Sequence, residues 1–143
     1  MTPIVVSCSL DLAKTFIAER AMRNAREIYG VAFDLSVRSF AFAAHDDARK
    51  PPLAVLLMSM AGGVATIDEL IVEAPESGAG AAALLVRRFE ETASYHNCHK
   101  ACALVAHNGS TAAALTDAGF RVAAVFQRHF FQKDFVELVK WLQ

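Results

Sequence analysis

The chain has 143 residues, with Lys+Arg 14 against Asp+Glu 15, a formal net charge of −1 and a pI near 6.5, so it lacks the basic footprint of a nucleic-acid binder. Its length suits one domain, 1–143, around a single core, and its longest mostly apolar run, Leu53 to Ala61, is far shorter than the ~20 residues of a membrane span. The start MTPIVVSCSLDLAK has neither the basic opening nor the cleavage site of a secretory leader, and three irregularly spaced cysteines are expected as reduced thiols, which together imply a cytoplasmic protein.

Ile4 to Cys8 predicts a short strand, and Leu10 to about Tyr29 a long amphipathic helix. Leu12, Phe16, Ile17, Ala21, Ala25 and Ile28 form its apolar stripe, Lys14, Arg20, Arg23 and Glu27 face away, and Gly30 is a natural stop. Ser36 to His45 alternates as a strand does, with Val37, Ser39 and Ala41 on one face and Arg38, Phe40 and Phe42 on the other. After the polar connection HDDARKPP, Leu53 to Met60 predicts the next strand. Ala61-Gly62-Gly63 then turns the chain back, which makes an antiparallel meander.

The run GVATIDELIVEAPESGAGAAALLVRRF, Gly63 to Phe89, carries the strongest local signal. Ala65 to Val72 reads as a largely buried strand interrupted by Asp68 and Glu69. Pro75 ends it, Gly78 and Gly80 predict a sharp turn, and Ala81 to Phe89 resumes at helical spacing with Leu85 and Phe89 on one face. Free N–H groups where a helix begins bind anions, phosphate above all. Gly78, Gly80 and Ala83 satisfy G-x-G-x-x-A, but that dinucleotide fingerprint follows its strand at once and has an acidic residue about 20 positions on. Here EAPES separates Val72 from Gly78, and the next apolar run, Ala101 to Ala106, ends in His107 and Asn108. No Lys-Ser or Lys-Thr follows the glycines, which excludes a P-loop.

SYHNCHKAC brings His96, Cys98, His99 and Cys102 together in sequence, but their spacing matches no compact zinc pattern, so no metal is expected and the segment reads as a helix end. Lys100 to His107 predicts a strand. Asn108, Ser110 and Thr111 offer caps for a helix running to Ala118, and Gly119 ends it. Val122 to Phe126 and Phe135 to Leu142 predict a final antiparallel pair joined through QRHFFQKD. The sum is a mixed α/β fold, a mostly antiparallel central sheet flanked by helices. Phe135, Val136, Leu138, Val139, Trp141 and Leu142 are more apolar than an edge strand should leave bare, which predicts a homodimer through this region.

IDELIVEAPESGAGAAALL resembles the acetyl-CoA motif of the GNAT superfamily of N-acyltransferases, in which an apolar strand ends in Val and five residues lead to G-x-G-x-G/A and a helix. Val72, Gly78, Gly80 and Ala82 stand at those spacings. Asn108 followed by Gly119-Phe120 is similar to the family's second motif, and the antiparallel meander agrees with its fold. The resemblance implies a slot between the strand ending at Val72 and the one ending at His107. An acetyl-CoA thioester arm would lie along the backbone of Leu70, Ile71 and Val72, with its pyrophosphate on the N–H groups of Gly78, Ala79, Gly80, Ala81, Ala82 and Ala83. Asn108 and Thr111 would hold it from the facing side.

An alkylamine with a pKa of about 10.4 is almost wholly protonated at neutral pH, so N-acetylation needs a base. Family members place one on this strand at the parity of Asp68, which makes Asp68 the first candidate and Glu69 the second; strand alternation would turn the two to opposite faces. The acceptor side of the cleft belongs, in the family, to the N-terminal helical region, where Arg23, Tyr29 and Phe33 are candidates. Two departures stand out. Ser77 replaces the usual Arg or Gln before the first glycine, and Leu115 occupies the position where many members have a Tyr that protonates the departing thiolate. Ser110, His107 or water would then have to serve, and a tyrosine at 115 would be expected to be neutral or helpful. The implied function is acetyl transfer from acetyl-CoA to a primary amine; the alternative is a catalytically silent CoA-binding domain.

Overall fold

The computed structural model describes residues 2–30, 36–47, 49–73 and 75–142, with the backbone alone at 75–79. The chain divides into two units, Met1–Ser36 and Val37–Gln143. The first holds helix α1 (Leu10–Tyr29). Ser9 caps its start, its side chain accepting the Leu12 N–H at 3.1 Å, and Gly30 ends it at φ 79 with its N–H on the Arg26 carbonyl. The expected strand at Ile4 to Cys8 does not form: β-branched residues favour an extended chain, but a strand needs a hydrogen-bonded neighbour, and none is paired with this segment. Phe33 lies outside the described residues.

The second unit runs β1 (Arg38–Ala44), β2 (Ala54–Ala61), β3 (Val64–Val72), α2 (Pro75–Tyr95), β4 (Lys100–Ala106), α3 (Ser110–Asp117), β5 (Arg121–Phe126), a 3₁₀ turn at Phe130–Gln132 and β6 (Phe135–Trp141). Six strands form one sheet in the order β1-β2-β3-β4-β6-β5, antiparallel throughout except for β3 beside β4. The β2–β3 hairpin closes on two residues, Gly62 and Gly63, at φ 60 and 80. Positive φ at both loop positions matches the twist of the flanking strands, and only glycine adopts it freely. That turn fixes the register of the meander at Ala61 opposite Val64.

One sheet face is covered. Leu56, Met58, Ile67, Leu70 and Leu138 pack there against Leu85, Val86 and Phe89 of α2 and Leu115 of α3. Lys140, on β6, donates to the carbonyl of Ala118 at 2.7 Å and pairs with Glu90 of α2 at 2.6 Å, tying the end of α3 to both neighbours. Among the described residues no helix is long and apolar enough to cross a membrane.

β6 is an inner strand between β4 and β5. Val136, Leu138 and Val139 are therefore core residues, and of the aromatic and aliphatic side chains cited for a dimer only Trp141 is largely exposed. The argument for a homodimer through this strand falls with its edge position; the edge belongs to β5.

Candidate active site

β3 and β4 pair only over Val64–Lys100, Ala65–Ala101 and Thr66–Cys102. Beyond that, β3 stays on β2 as far as Val72 opposite Ala54, and β4 stays on β6 as far as Ala106 opposite Phe135. Each strand follows its outer neighbour, so the two part and leave the facing backbone edge of β3 without a ladder partner. Thr66 Oγ1 and Cys102 Sγ, 3.4 Å apart, mark the point of divergence. The slot so opened measures about 630 Å³.

A bulge shapes its first wall. Leu57 faces Glu69 and Met58 faces Ile67, which leaves Asp68 as an extra residue on β3. Strict alternation would send Asp68 and Glu69 to opposite faces; the bulge corrects that expectation. Ile67 and Leu70 both point into the core, whereas Asp68 and Glu69 are both exposed and both line the slot. Ser59 of β2 donates to Asp68 Oδ1 at 3.1 Å and orients it. The Glu69 side chain has no hydrogen bond or ion pair among the described residues. Leu70 and Ile71 complete this wall.

The opposite wall is Leu104, Val105 and Ala106 of β4, followed by Gly109, Ser110 and Thr111 at the start of α3. Gly109 is the N-cap residue of α3 and no side chain caps the helix, so the caps expected from Asn108, Ser110 and Thr111 are not made. Ser110 and Thr111 instead line the slot, while Asn108 turns the chain at φ 62 and lies outside the lining. His107 is outside it as well; its N–H donates to the Asp134 carbonyl at 3.0 Å. Phe130 and Phe135 close the slot.

The glycine turn is also corrected. α2 begins at Pro75, not Ala81, so Gly78 and Gly80 are helical. Proline suits a first helical position because the N–H it lacks would have no helical partner there, and the alanine-rich run favours continuing. The amides of Gly80, Ala81, Ala82 and Ala83 consequently bond within the helix, and Ala81 and Ala82 are buried. A Cβ on Gly80 would meet nothing within 4 Å. The N–H groups left for an anion are those of the first turn, just after β3. α3 likewise starts just after β4, and Gly109, Ser110 and Thr111 at its start line the slot. Val72 is half-buried and outside the lining.

Leu115 is fully buried in the core, so the second departure from the motif is not compensated at that position. Nor do the histidines and cysteines converge: among the described residues no three His, Cys, Asp or Glu side chains come together as a metal site. Arg38 contacts His96 Nδ1 at 3.3 Å, His99 stacks on Trp141, and burial pushes the Cys98 thiol up.

Sequence reasoning passed over Ser59, Leu104, Phe130 and Phe135. Ser59 was within reach, because a two-residue Gly62-Gly63 turn places it opposite Thr66 and diagonal to Asp68. For the aromatic wall the signal was Phe130 within the polar QRHFFQKD, followed by Phe135 directly after it.

No family model matches the sequence, and no curated protein does. Solved structures do match. An acetyltransferase from Bacillus cereus superimposes with a TM-score of 0.78 at 13% identity, over 97% of this chain and 98% of that one. A spermidine N-acetyltransferase from Vibrio cholerae, solved with CoA and spermine, gives 0.61 at 18%, over 95% and 77%. The ribosomal-protein alanine N-acetyltransferase of Escherichia coli gives 0.65 at 12%, over 90% of each chain. This chain has the GNAT fold. In the GNAT fold as this chain builds it, the parted strands, the bulged carboxylates and the start of α3 meet at one slot, and α2 begins shortly after β3 ends.

Proposed function

We propose that the protein is an N-acetyltransferase that moves the acetyl group of acetyl-CoA to a primary amine. The observation that carries this reading is the bulge at Asp68, which puts two carboxylates in the slot where β3 has lost its strand partner. The pantetheine arm, which has amides of its own, pairs with the free backbone edge at Leu70 and Ile71 as an added strand. Its pyrophosphate sits at the slot mouth on the first-turn N–H groups of α2.

Asp68, held by Ser59, takes a proton from the acceptor ammonium, directly or through water. The freed nitrogen lone pair attacks the thioester carbonyl, forming the N–C bond. Collapse of the tetrahedral intermediate breaks the C–S bond and expels the CoA thiolate, and the extra proton on the nitrogen leaves through water to the thiolate, giving the neutral amide and the CoA thiol. A thiol with a pKa of about 8.5 is a fair leaving group, so loss of the tyrosine position at Leu115 does not stop this step. Ser110 and Thr111, at the slot, can donate to the sulfur.

The buried Leu115 favours one other reading, a silent CoA-binding domain. Thiol release from acetyl-CoA, measured with a panel of primary amines beside calorimetric binding of acetyl-CoA, separates the two. Amine-dependent release is expected; tight binding with no release for any amine would leave only the silent binder.

A further inference from the structure

Phe130 sits in the loop between β5 and β6, and this loop is held in place. The Arg128 N–H donates to Asp134 Oδ1 at 2.9 Å, the His129 N–H to the Lys133 carbonyl at 2.9 Å and the Lys133 N–H to the Phe130 carbonyl at 3.0 Å. The His107 N–H on the Asp134 carbonyl ties the loop to the end of β4. The rings are fixed against one another: Phe130 and Phe135 meet edge to face at 5.2 Å, and His129 packs on Phe130 at 4.3 Å. This order makes the aromatic wall preformed, although Phe130 is half exposed.

The slot has a one-sided chemistry. Among its described lining residues Asp68 and Glu69 carry the only charges; Thr66, Ser110 and Thr111 add hydroxyls, and, apart from the Leu70–Ile71 edge assigned to the pantetheine arm, Leu104, Phe130 and Phe135 make an apolar wall. A carboxylate next to the acceptor amine would face two like charges and no partner, an arrangement that rejects it. A second ammonium placed against Leu104, Phe130 and Phe135 would lose its water to hydrocarbon. A ring there would instead bury apolar surface on aromatic edges.

We propose, resting on the acetyltransferase reading above, that the acceptor is an arylalkylamine: a primary amine on a short apolar arm ending in a ring, without a carboxylate beside the nitrogen. Phe130 is the specificity-determining residue.

The test compares 2-phenylethylamine, phenylalanine, 1,4-diaminobutane and ethylamine as acceptors by thiol release. In parallel, calorimetry on the CoA-saturated protein reads amine binding without turnover. We expect kcat/KM for 2-phenylethylamine to exceed each of the other three by at least about tenfold, the scale on which apolar pockets discriminate. Phe130→Ala should lower the 2-phenylethylamine to ethylamine ratio by about tenfold, with Phe130→Leu recovering part of it; a ratio cancels any general loss from the substitution. Preference for phenylalanine or the diamine, or an unmoved ratio in Phe130→Ala, overturns the inference and leaves the acetyltransferase reading intact. Phe130-dependent binding of 2-phenylethylamine without turnover sustains an arylalkylamine site at Phe130 but overturns its role as acceptor and defeats the enzyme. Neither binding nor turnover defeats both.

Discussion

Asp68→Asn isolates the proton-transfer step. The asparagine keeps the outline of the side chain and an Oδ1 that still accepts from Ser59 Oγ, a contact of 3.1 Å in the native protein, so the bulge and slot should survive. Only the base is lost. At pH 7.4 an alkylamine of pKa about 10.4 is unprotonated to roughly one part in a thousand, which is the pool the variant must draw on. General bases contribute about 10²–10⁴-fold, so kcat should fall by at least about 10²-fold, near 2.7 kcal/mol of transition-state stabilisation. Two further readouts follow from the same geometry. The residual rate should climb about tenfold per pH unit below the amine pKa, since solvent then supplies the free amine. Ser59→Ala, which leaves the carboxylate but not its orientation, should lose only the ~0.5–1.5 kcal/mol of one hydrogen bond, about two- to tenfold in rate. Steady-state thiol release across pH 6.5–9.5 would serve as the assay, with the amine saturating where solubility allows. An Asp68→Asn protein that folds, binds acetyl-CoA and turns over within about threefold of wild type would refute the assignment. The same loss found in Glu69→Gln alone would move the base one residue along.

Gly63→Ala should lower Tm by about 4–8 °C, because φ 80 costs an alanine ~1–2 kcal/mol and its Cβ would come within 2.6 Å of His99 Nδ1. Gly80→Ala should do the opposite, adding about 0.5–1 kcal/mol by chemical denaturation, since the position is helical and open; calorimetry should find acetyl-CoA affinity unchanged, and a marked loss would place phosphate on that amide after all. Leu115→Tyr, which the motif alone makes benign, should destabilise by about 1–3 kcal/mol, because a larger ring with a hydroxyl must enter a fully buried site; a urea midpoint equal to wild type would contradict the packing.

The parts of this protein that were legible in its sequence are those set by local chemistry. Gly62-Gly63 dictates a tight hairpin whatever surrounds it, the periodicities of Leu10 to Tyr29 and Ala81 to Phe89 dictate helices, and Val72, Gly78, Gly80 and Ala82 point to a known fold through their spacing. Asp68 and Glu69 stand out because carboxylates inside an apolar strand need a reason. What the sequence left open depended on neighbours distant along the chain. Ile4 to Cys8 has strand chemistry but joins no ladder among the described residues. β6, last in the chain, is too apolar for an edge, and only the pairing reveals that β5 is laid outside it. Asp68 and Glu69 share a face only because β2 pairs across them with one residue fewer, and alternation, a rule about one strand, has no access to that count. The slot itself is a difference between two sets of partners: β3 follows β2, β4 follows β6, and the gap where they separate belongs to neither strand's own sequence. Phe130 enters it from a loop more than sixty residues beyond Asp68 in the chain, because the His107 N–H on the Asp134 carbonyl fixes that loop to the end of β4.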